Sequence, residues 1–494
     1  MTTTTFPAVK LLSPQRIELA IQALAGAAHI SHLAAENEVS RKFVYQQRRK
    51  AQAALDLAFA QTTGADGEQV LFSLPVTKQW LHQVALSLTL ICHSSYRGVV
   101  EFMRDILGVS ISVGSVHNLH QLAAQRAGVI NTTQDLSEIR VGLNDEIFHC
   151  NEPVLVGVDA HSTYCYLLSS AEHRDADTWA IHLMYACDQG FNPDYLVADQ
   201  GAGLRAGQAI VWKDKPCHGD VFHILQQCES LVNVLASVAQ GATTRWQAME
   251  LKMDAAKEEG VGRTLACQLG MARRAQVQAS LLSKDVKTLT QWLRRDVLEL
   301  AGPSRAIRLE LFDFVTAELL TREHLDSKRI RPVRIALQNQ RNDLIAFAGV
   351  LDDKLQAIAR THELPMSVVR QACVLQRKPE TSPTYWEGWC RLCAQMGHKC
   401  HAVFEAVLQA MKQTPRCSSM VENLNSRLRN YFTLRRQLGG EYLGLLQYFL
   451  NHRTFLRSRV ADRAGKSPKQ LMTGQAHAHW LTLLGFGQQQ PLRA

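Results

Sequence analysis

The chain contains no uninterrupted apolar run of the length needed to cross a bilayer, which takes about 20 residues in a helix. Its first residues, Met1-Thr-Thr-Thr-Thr-Phe-Pro7, hold neither a basic stretch nor an apolar one, so no signal peptide is expected there. The 12 cysteines are scattered, without the spacing of a small secreted disulfide scaffold. Acid is in deficit: 45 Asp and Glu stand against 54 Lys and Arg, a net charge of +9. These absences predict a soluble, cytoplasmic protein with free thiols, no membrane partner and a mild preference for polyanions. A hydrophobic content of 46% excludes general disorder, and 494 residues are too many for one ordinary core.

What is present begins with a short stretch, Arg140-Val-Gly-Leu-Asn-Asp-Glu-Ile-Phe148. Strand alternation places Val141, Leu143, Asp145 and Ile147 on one face, and Asn144, Glu146 and Phe148 on the other. A carboxylate on an apolar face is costly unless it is paired or holds a metal. Asp145 is therefore a candidate ligand. Glu146 is the alternative if the register slips by one residue.

The N-terminal residues read as three short helices. Ile17, Leu19, Ala20 and Leu24 give the first its helical spacing, Ile30–Val39 makes the second, and Ser40 caps a basic third, Arg41–Lys50. The phrase HLAAENEVSRKFVYQQRRK resembles the helix-turn-helix of transposases and bacterial regulators. That resemblance implies DNA contacts by Ser40, Lys42, Gln46, Gln47, Arg48 and Arg49. A bundle with a merely solvated basic helix is the competing reading. Residues 78–127 form a second helical block, either another helix-turn-helix with Ser115, His117 and Asn118 facing DNA or a connector packed on the core.

From residue 140 strands take over. Arg140–Phe148, Pro153–Asp159 and Ser162–Leu168 read as antiparallel neighbours, because the turns between them are short. Ala171–Gln189 reads as a helix with Trp179, Ile181, Met184 and Tyr185 inward. Tyr195–Asp199 is a short buried strand, parallel to its neighbour, and Ala209–Trp212 is a further candidate strand. Residues 226–411 then carry helical periodicity almost throughout, in segments that include Leu231–Ala239, Thr244–Glu259, Gly262–Leu282, Ser283–Leu300 and Pro332–His362.

The order β-β-β-α-β, with Asp145 in the first strand and Asp199 ending the fourth, resembles the ribonuclease-H-like core of DDE transposases and integrases. The resemblance implies a third carboxylate on a later helix, beyond an inserted domain. The stretch beginning Arg416-Cys-Ser-Ser-Met-Val-Glu-Asn-Leu-Asn425 resembles the S-x-x-E-N-x-N-x-x-L-R helix of insertion-sequence transposases and offers Glu422. On a helical wheel Glu422, Asn425, Ser426 and Arg429 share one face, opposite the apolar Val421, Leu424, Leu428 and Tyr431.

The expected fold is thus a ribonuclease-H-like α/β core interrupted by an all-helical insertion and preceded by helix-turn-helix domains. The expected segments are 1–62, 70–135, 138–225, 226–411, 412–475 and a tail at 476–494. The implied activity is metal-dependent cleavage at transposon ends and strand transfer into target DNA. Asp145, Asp199 and Glu422 would hold two Mg²⁺ or Mn²⁺ ions. The implied partners are transposon-end DNA, target DNA and further copies of the chain in a synaptic assembly. A DNA-binding regulator with an inactive core and a nuclease that cuts without joining are the alternatives.

Each acid has a plainer competitor. Asp159 also ends an apolar strand, but reads better as a turn acid near Ser162. Asp199 precedes Gly201 and could simply form a turn. Ser419-Met-Val-Glu422 matches a helix capping box. Nine arginines against three acids between Arg416 and Arg463 suggest a phosphate track, with Arg427, Arg429, Arg435 and Arg436 as candidates. Cys390-x-x-Cys393 with His398, Cys400 and His401 invites zinc, but the second half is too tightly spaced for an ordinary finger.

Overall fold

The structure, a computed structural model, describes residues 11–59, 74–258, 263–435, 438–458 and 460–487. The chain divides into two compact units, Met1–Thr77 and Lys78–Ala494.

The first unit holds α1 (Ser13–Ala25), α2 (Ile30–Glu36) and α3 (Arg41–Phe59). Leu19, Ala23, Leu33, Ala34 and Val44 form its small core. Ile17, expected inward, is 60% exposed. Gly26 ends α1 with φ 64°, a left-handed conformation that costs glycine little. The Ser40 hydroxyl accepts the amide of Phe43 at 3.2 Å, opening α3.

The second unit begins with α4 (Lys78–Leu90), α5 (Tyr96–Leu107) and α6 (Val113–Thr132). Next come β1 (Val141–His149), β2 (Glu152–Asp159), β3 (Cys165–Ser170), α7 (Ala176–Asp188), β4 (Tyr195–Ala198), α8 (Ala202–Val211) and β5 (Cys217–Gly219). These strands make one mixed sheet, ordered β3-β2-β1-β4-β5. β1, β2 and β3 pair antiparallel, while β4 lies parallel to β1 and β5 parallel to β4.

The pleat sorts side chains into two layers. Val141, Leu143, Ile147, Val154, Val156, Val158, Tyr195 and Val197 share an apolar cluster with α4, α5, α6 and two later helices, α17 (Ser419–Phe432) and α18 (Gly440–His452). Leu155, Tyr166, Leu196 and Ala198 face Trp179 and Leu183 of α7 and Leu204 of α8. Ser115, His117 and Asn118 are exposed on α6, but Val116, Leu119, Ala123, Ala124 and Ala127 of the same helix join the sheet's cluster.

Two local readings of the sequence need correction. In α7 the inward residues are Trp179, Ala180, Leu183 and Ala186, whereas Ile181, Met184 and Tyr185 are at least half exposed. Residues 209–211 are the end of α8, and the last strand is Cys217–Gly219 instead. Tertiary contact decides this: a Cβ at Gly207 would lie 2.6 Å from Cβ of Trp179, so the two helices meet through that glycine. Such packing overrides the β-preference of Ile and Val.

Between β5 and α17 runs the helical insertion: α9 (Val221–Glu258), α10 (Arg263–Trp292), α11 (Arg305–Glu323), α12 (Ser327–Asn339), α13 (Arg341–Thr361), α14 (Met366–Leu375), α15 (Pro383–Met396) and α16 (Cys400–Lys412). The segments read separately at 231–239 and 244–259 are one helix, α9. Pro332–His362, read as one helix, is two. The insertion has two apolar clusters, and α13 contributes to both. It also covers the sheet edge, since Leu344 of α13 packs where a Cβ on Gly219 would be.

Cys393 and Cys400 form a disulfide, so the expectation of free thiols fails at that pair. The disulfide takes Cys393 and Cys400 from the zinc reading, while Cys390 of the C-x-x-C pair stays free. Among the described residues the nearby cysteines and histidines do not gather as a metal site.

Three buried imidazoles couple this fold to acid. Burial lowers His120 to about 3 and both His218 and His452 to about 4, from an ordinary 6.5. Each favours the folded state fully above pH 6.5, and that contribution is lost as pH falls towards 4 and below. Asp145, raised by burial to about 7, acts in the opposite sense but is a single group. We expect urea midpoints to fall between pH 6.5 and 4, at a limiting slope of about 1.4 kcal/mol per pH unit for each imidazole. His120→Gln should flatten that profile.

Candidate metal centre

The site is built from one strand and the first turns of two helices. Asp145 lies on the inner face of β1, 8% exposed, with its backbone opposite Val156 of β2. Its Oδ2 accepts from Nδ2 of Asn425 at 2.8 Å, and its Oδ1 accepts from the amide of Glu146 at 2.8 Å. Burial pushes its carboxyl up to about 7; the Glu146 amide opposes this, nearby Glu422 and Asp199 add to it, and His223 relieves it.

Glu422 sits in the first turn of α17. Its Oε1 lies 3.2 Å from Nε2 of His223, which comes from the first turn of α9. One ligand atom from each of Asp145, His223 and Glu422 falls within 4.8 Å of the others. The capping-box reading of Glu422 does not hold: Ser418 is the N-cap residue, and no side-chain cap bond is made there. The Ser418 hydroxyl is bonded to Asp220 instead.

Asp220 is the hidden organiser. It is 1% exposed and precedes α9. One oxygen takes the Ser418 hydroxyl and Nδ1 of His223, and the other takes the amides of Phe222 at 2.8 Å and Ser418 at 3.1 Å. Burial works to raise its carboxyl, but the bonds from His223 and Ser418 outweigh burial and hold it low. The Asp220 bond in turn raises His223 to about 9 against the cost of burial, aided by the charges of Asp220, Asp145 and Glu422. The imidazole is therefore cationic at neutral pH and sits among three acids.

Asp199 stands just past β4. The pairing of β4 with β1 ends at Val197 opposite Leu143, two residues before Asp199. Its Oδ1 accepts the Gly201 amide at 2.8 Å, closing a turn. It lies outside the group of three, though close enough to raise the Asp145 carboxyl.

The competing acids are occupied elsewhere. Glu146 points to the other layer, accepting Nε1 of Trp179 at 3.0 Å and pairing with Arg174 at 3.1 Å. Asp159 pairs across from Gly142, away from Asp145, and its Oδ2 accepts the Ser162 amide at 2.8 Å and hydroxyl at 2.5 Å. Asn425, placed by the helical wheel on a polar face, is in fact 1% exposed.

The basic candidates separate as well. Arg429 is exposed and Arg427 half-buried on α17. Arg435 is held between the rings of Tyr96 and Tyr442, with its guanidinium carbon 4.7 and 3.7 Å from their centroids. Arg436 lies outside the described residues. In the first unit Ser40, Lys42, Gln46, Arg48 and Arg49 are exposed, but Gln47 is 8% exposed and packs inward, so it is removed from the contact set.

Sequence reasoning missed Asp220 and His223. The signal was present as Asp220-Val-Phe-His223 at a helix start, a spacing that puts both residues on one side of the first turn.

No family model matches the chain, and no curated protein matches it.

The donor set fits a divalent cation. Two carboxylates and an imidazole converge, and the buried Oδ1 of Asn425 beside them has no hydrogen-bond partner among the described residues. Titration with Mn²⁺ should saturate at this site. Asn425→Ala should weaken binding about 10–100-fold, the usual cost of losing a group that orients a ligand. Asp159→Asn should leave the affinity unchanged.

Proposed function

We propose that the chain is a DNA transposase with a ribonuclease-H-like core, which cleaves transposon ends and joins them to target DNA. The observation that carries this reading is the convergence of Asp145 and Glu422, from opposite halves of the chain, on one site beside Asp199. The sheet order, three antiparallel strands followed by two parallel ones, supports it. So does the interruption of that core by a helical insertion between β5 and α17.

Asp145 and Glu422 would hold one divalent cation, joined by His223 once the ion displaces the proton on its Nε2, and Asp199 with Asp145 would hold a second. Such ions polarise a phosphodiester and favour an oxygen nucleophile. The chain's own residues prepare the site. Asn425 fixes the Asp145 carboxylate, and Asp220 fixes the imidazole of His223. Before an ion binds, the cationic imidazole lowers the repulsion between acids brought this close. In the first reaction a water oxygen bonds to phosphorus as the bond to the 3′ oxygen breaks, freeing a 3′-hydroxyl. In the second the oxygen of that hydroxyl bonds to a target phosphorus as the bond from that phosphorus to the target's own 3′ oxygen breaks, and the proton lost by the attacking hydroxyl is balanced by one taken up by the leaving oxygen. Exposed Lys42, Arg48 and Arg49 of the first unit give the charge for duplex binding.

The test uses the full chain, Mg²⁺ and a plasmid bearing the element's own ends. The wild type should produce cleaved ends and joined products, and Asp145→Asn and Glu422→Gln neither. Cutting without joining would replace this reading by a nuclease, and binding without cutting by a regulator. Separately, Arg48→Ala should weaken duplex binding across all sequences and reduce its logarithmic salt slope by about 1.

A further inference from the structure

A cavity of about 380 Å³ lies against a second side of α17, and its lining contains arginines and no acid. Arg427 of α17 lines it together with Arg457 and Arg463 from the segment that follows α18. Ser419 and Asn423 line it from the same helix. Positions 419, 423 and 427 recur every four residues and so form one stripe, distinct from the face that carries Glu422 and Asn425.

No carboxylate lines this cavity, although the charge of Asp159 acts on Arg463 from beyond the lining. None of the ion pairs among the described residues involves Arg427, Arg457 or Arg463. Arg463 is positioned by bonds from Nη2 to the carbonyl of His161 at 2.7 Å and to Sδ of Met420 at 3.8 Å. Burial weakens the hold of Arg427 on its proton; Tyr431 opposes this, and the charge of neighbouring Arg453 adds to it. Arg427 and Arg463 are half-buried and Arg457 is exposed, and half-buried like charges are costly until an anion joins them. The larger cavity of about 540 Å³, which abuts the same end of β2, differs, because Glu138, Asp159 and Asp194 line it alongside Arg140, Lys354 and Lys412.

We infer that this arginine cavity is a phosphate-binding subsite, and that its occupant is a phosphate of the DNA strand handled at the neighbouring carboxylates. Guanidinium groups match phosphate oxygens in pairs, and three of them around one pocket favour a doubly or singly charged phosphate over a carboxylate. The location beside the acids rests on the proposed transposase reading; the pocket's affinity for phosphate does not.

The experiment therefore measures binding without cleavage. The thermal midpoint of the full chain is followed in metal-free buffer as inorganic phosphate replaces chloride at constant ionic strength. The midpoint should rise and saturate for the wild type and for Asp145→Asn. It should need about tenfold more phosphate in Arg457→Gln, an exposed position whose loss leaves the core intact, and in Arg427→Met. A short 5′-phosphorylated single strand should saturate the site at lower concentration than inorganic phosphate. No rise above the chloride control, or equal rises in wild type and Arg457→Gln, overturns the subsite. An oligonucleotide no better than inorganic phosphate overturns the DNA strand as its source. Retention of the phosphate effect in a wild-type chain that fails to cleave DNA would sink the transposase reading and leave the pocket standing.

Discussion

A carboxylate on the apolar face of a strand is what the rest of the second unit has to accommodate. Asp145 stands in the middle of β1, between Leu143 and Ile147, which are 1% and 3% exposed. Burying that acid without partners would cost several kcal/mol. The solution is to bring α17 across the strand so that Asn425 donates to it, and to bring a cationic imidazole from α9 close by. Docking of α17 is secured by Val421, Leu424, Leu428 and Tyr431, which insert into the same apolar cluster as Val141, Leu143 and Ile147. Apolar packing thus fixes the helix, and the fixed helix sets where its polar groups meet the acid.

Control of that meeting passes through Asp220. It joins the end of β5, the start of α9 and the N-cap of α17 in one set of bonds. A buried acid with four donors has little freedom to turn, so His223 and Ser418 are held by a rigid base. Electrostatics follow from this geometry: the same carboxylate keeps the imidazole cationic, and the imidazole moderates the repulsion between Asp145 and Glu422.

The sheet was largely legible in the sequence, because strand alternation is a local property. Val141, Leu143, Asp145 and Ile147 do share a face, and Glu146 does point the other way. Direction was harder to read in helices. Ile181, Met184 and Tyr185 are apolar yet exposed, since the orientation of α7 is set by Trp179 and Leu183 meeting the sheet and by Gly207 of α8. Asn425 was assigned to the polar side of α17 because no local pattern reveals that its amide has a buried carboxylate opposite. His223 was missed for the same reason: its partners Glu422 and Asp145 lie far from it in the chain, and only Asp220 is near. The C-x-x-C spacing of Cys390 and Cys393 pointed to zinc, but Cys393 is bonded to Cys400.

The long helical excursion leaves the sheet at Asp220 and returns at Arg416, where the Val221 amide meets the Arg416 carbonyl at 3.1 Å. Its two feet are therefore clasped together. Joining such remote points in an unfolded chain carries an entropic penalty that grows by about 0.6 kcal/mol for each doubling of the intervening length. If the helices of the excursion assemble first, they bring their own feet together and remove most of that penalty before α17 has to find β1. The order of assembly then runs from the periphery inward, and the carboxylates are the last to be brought face to face.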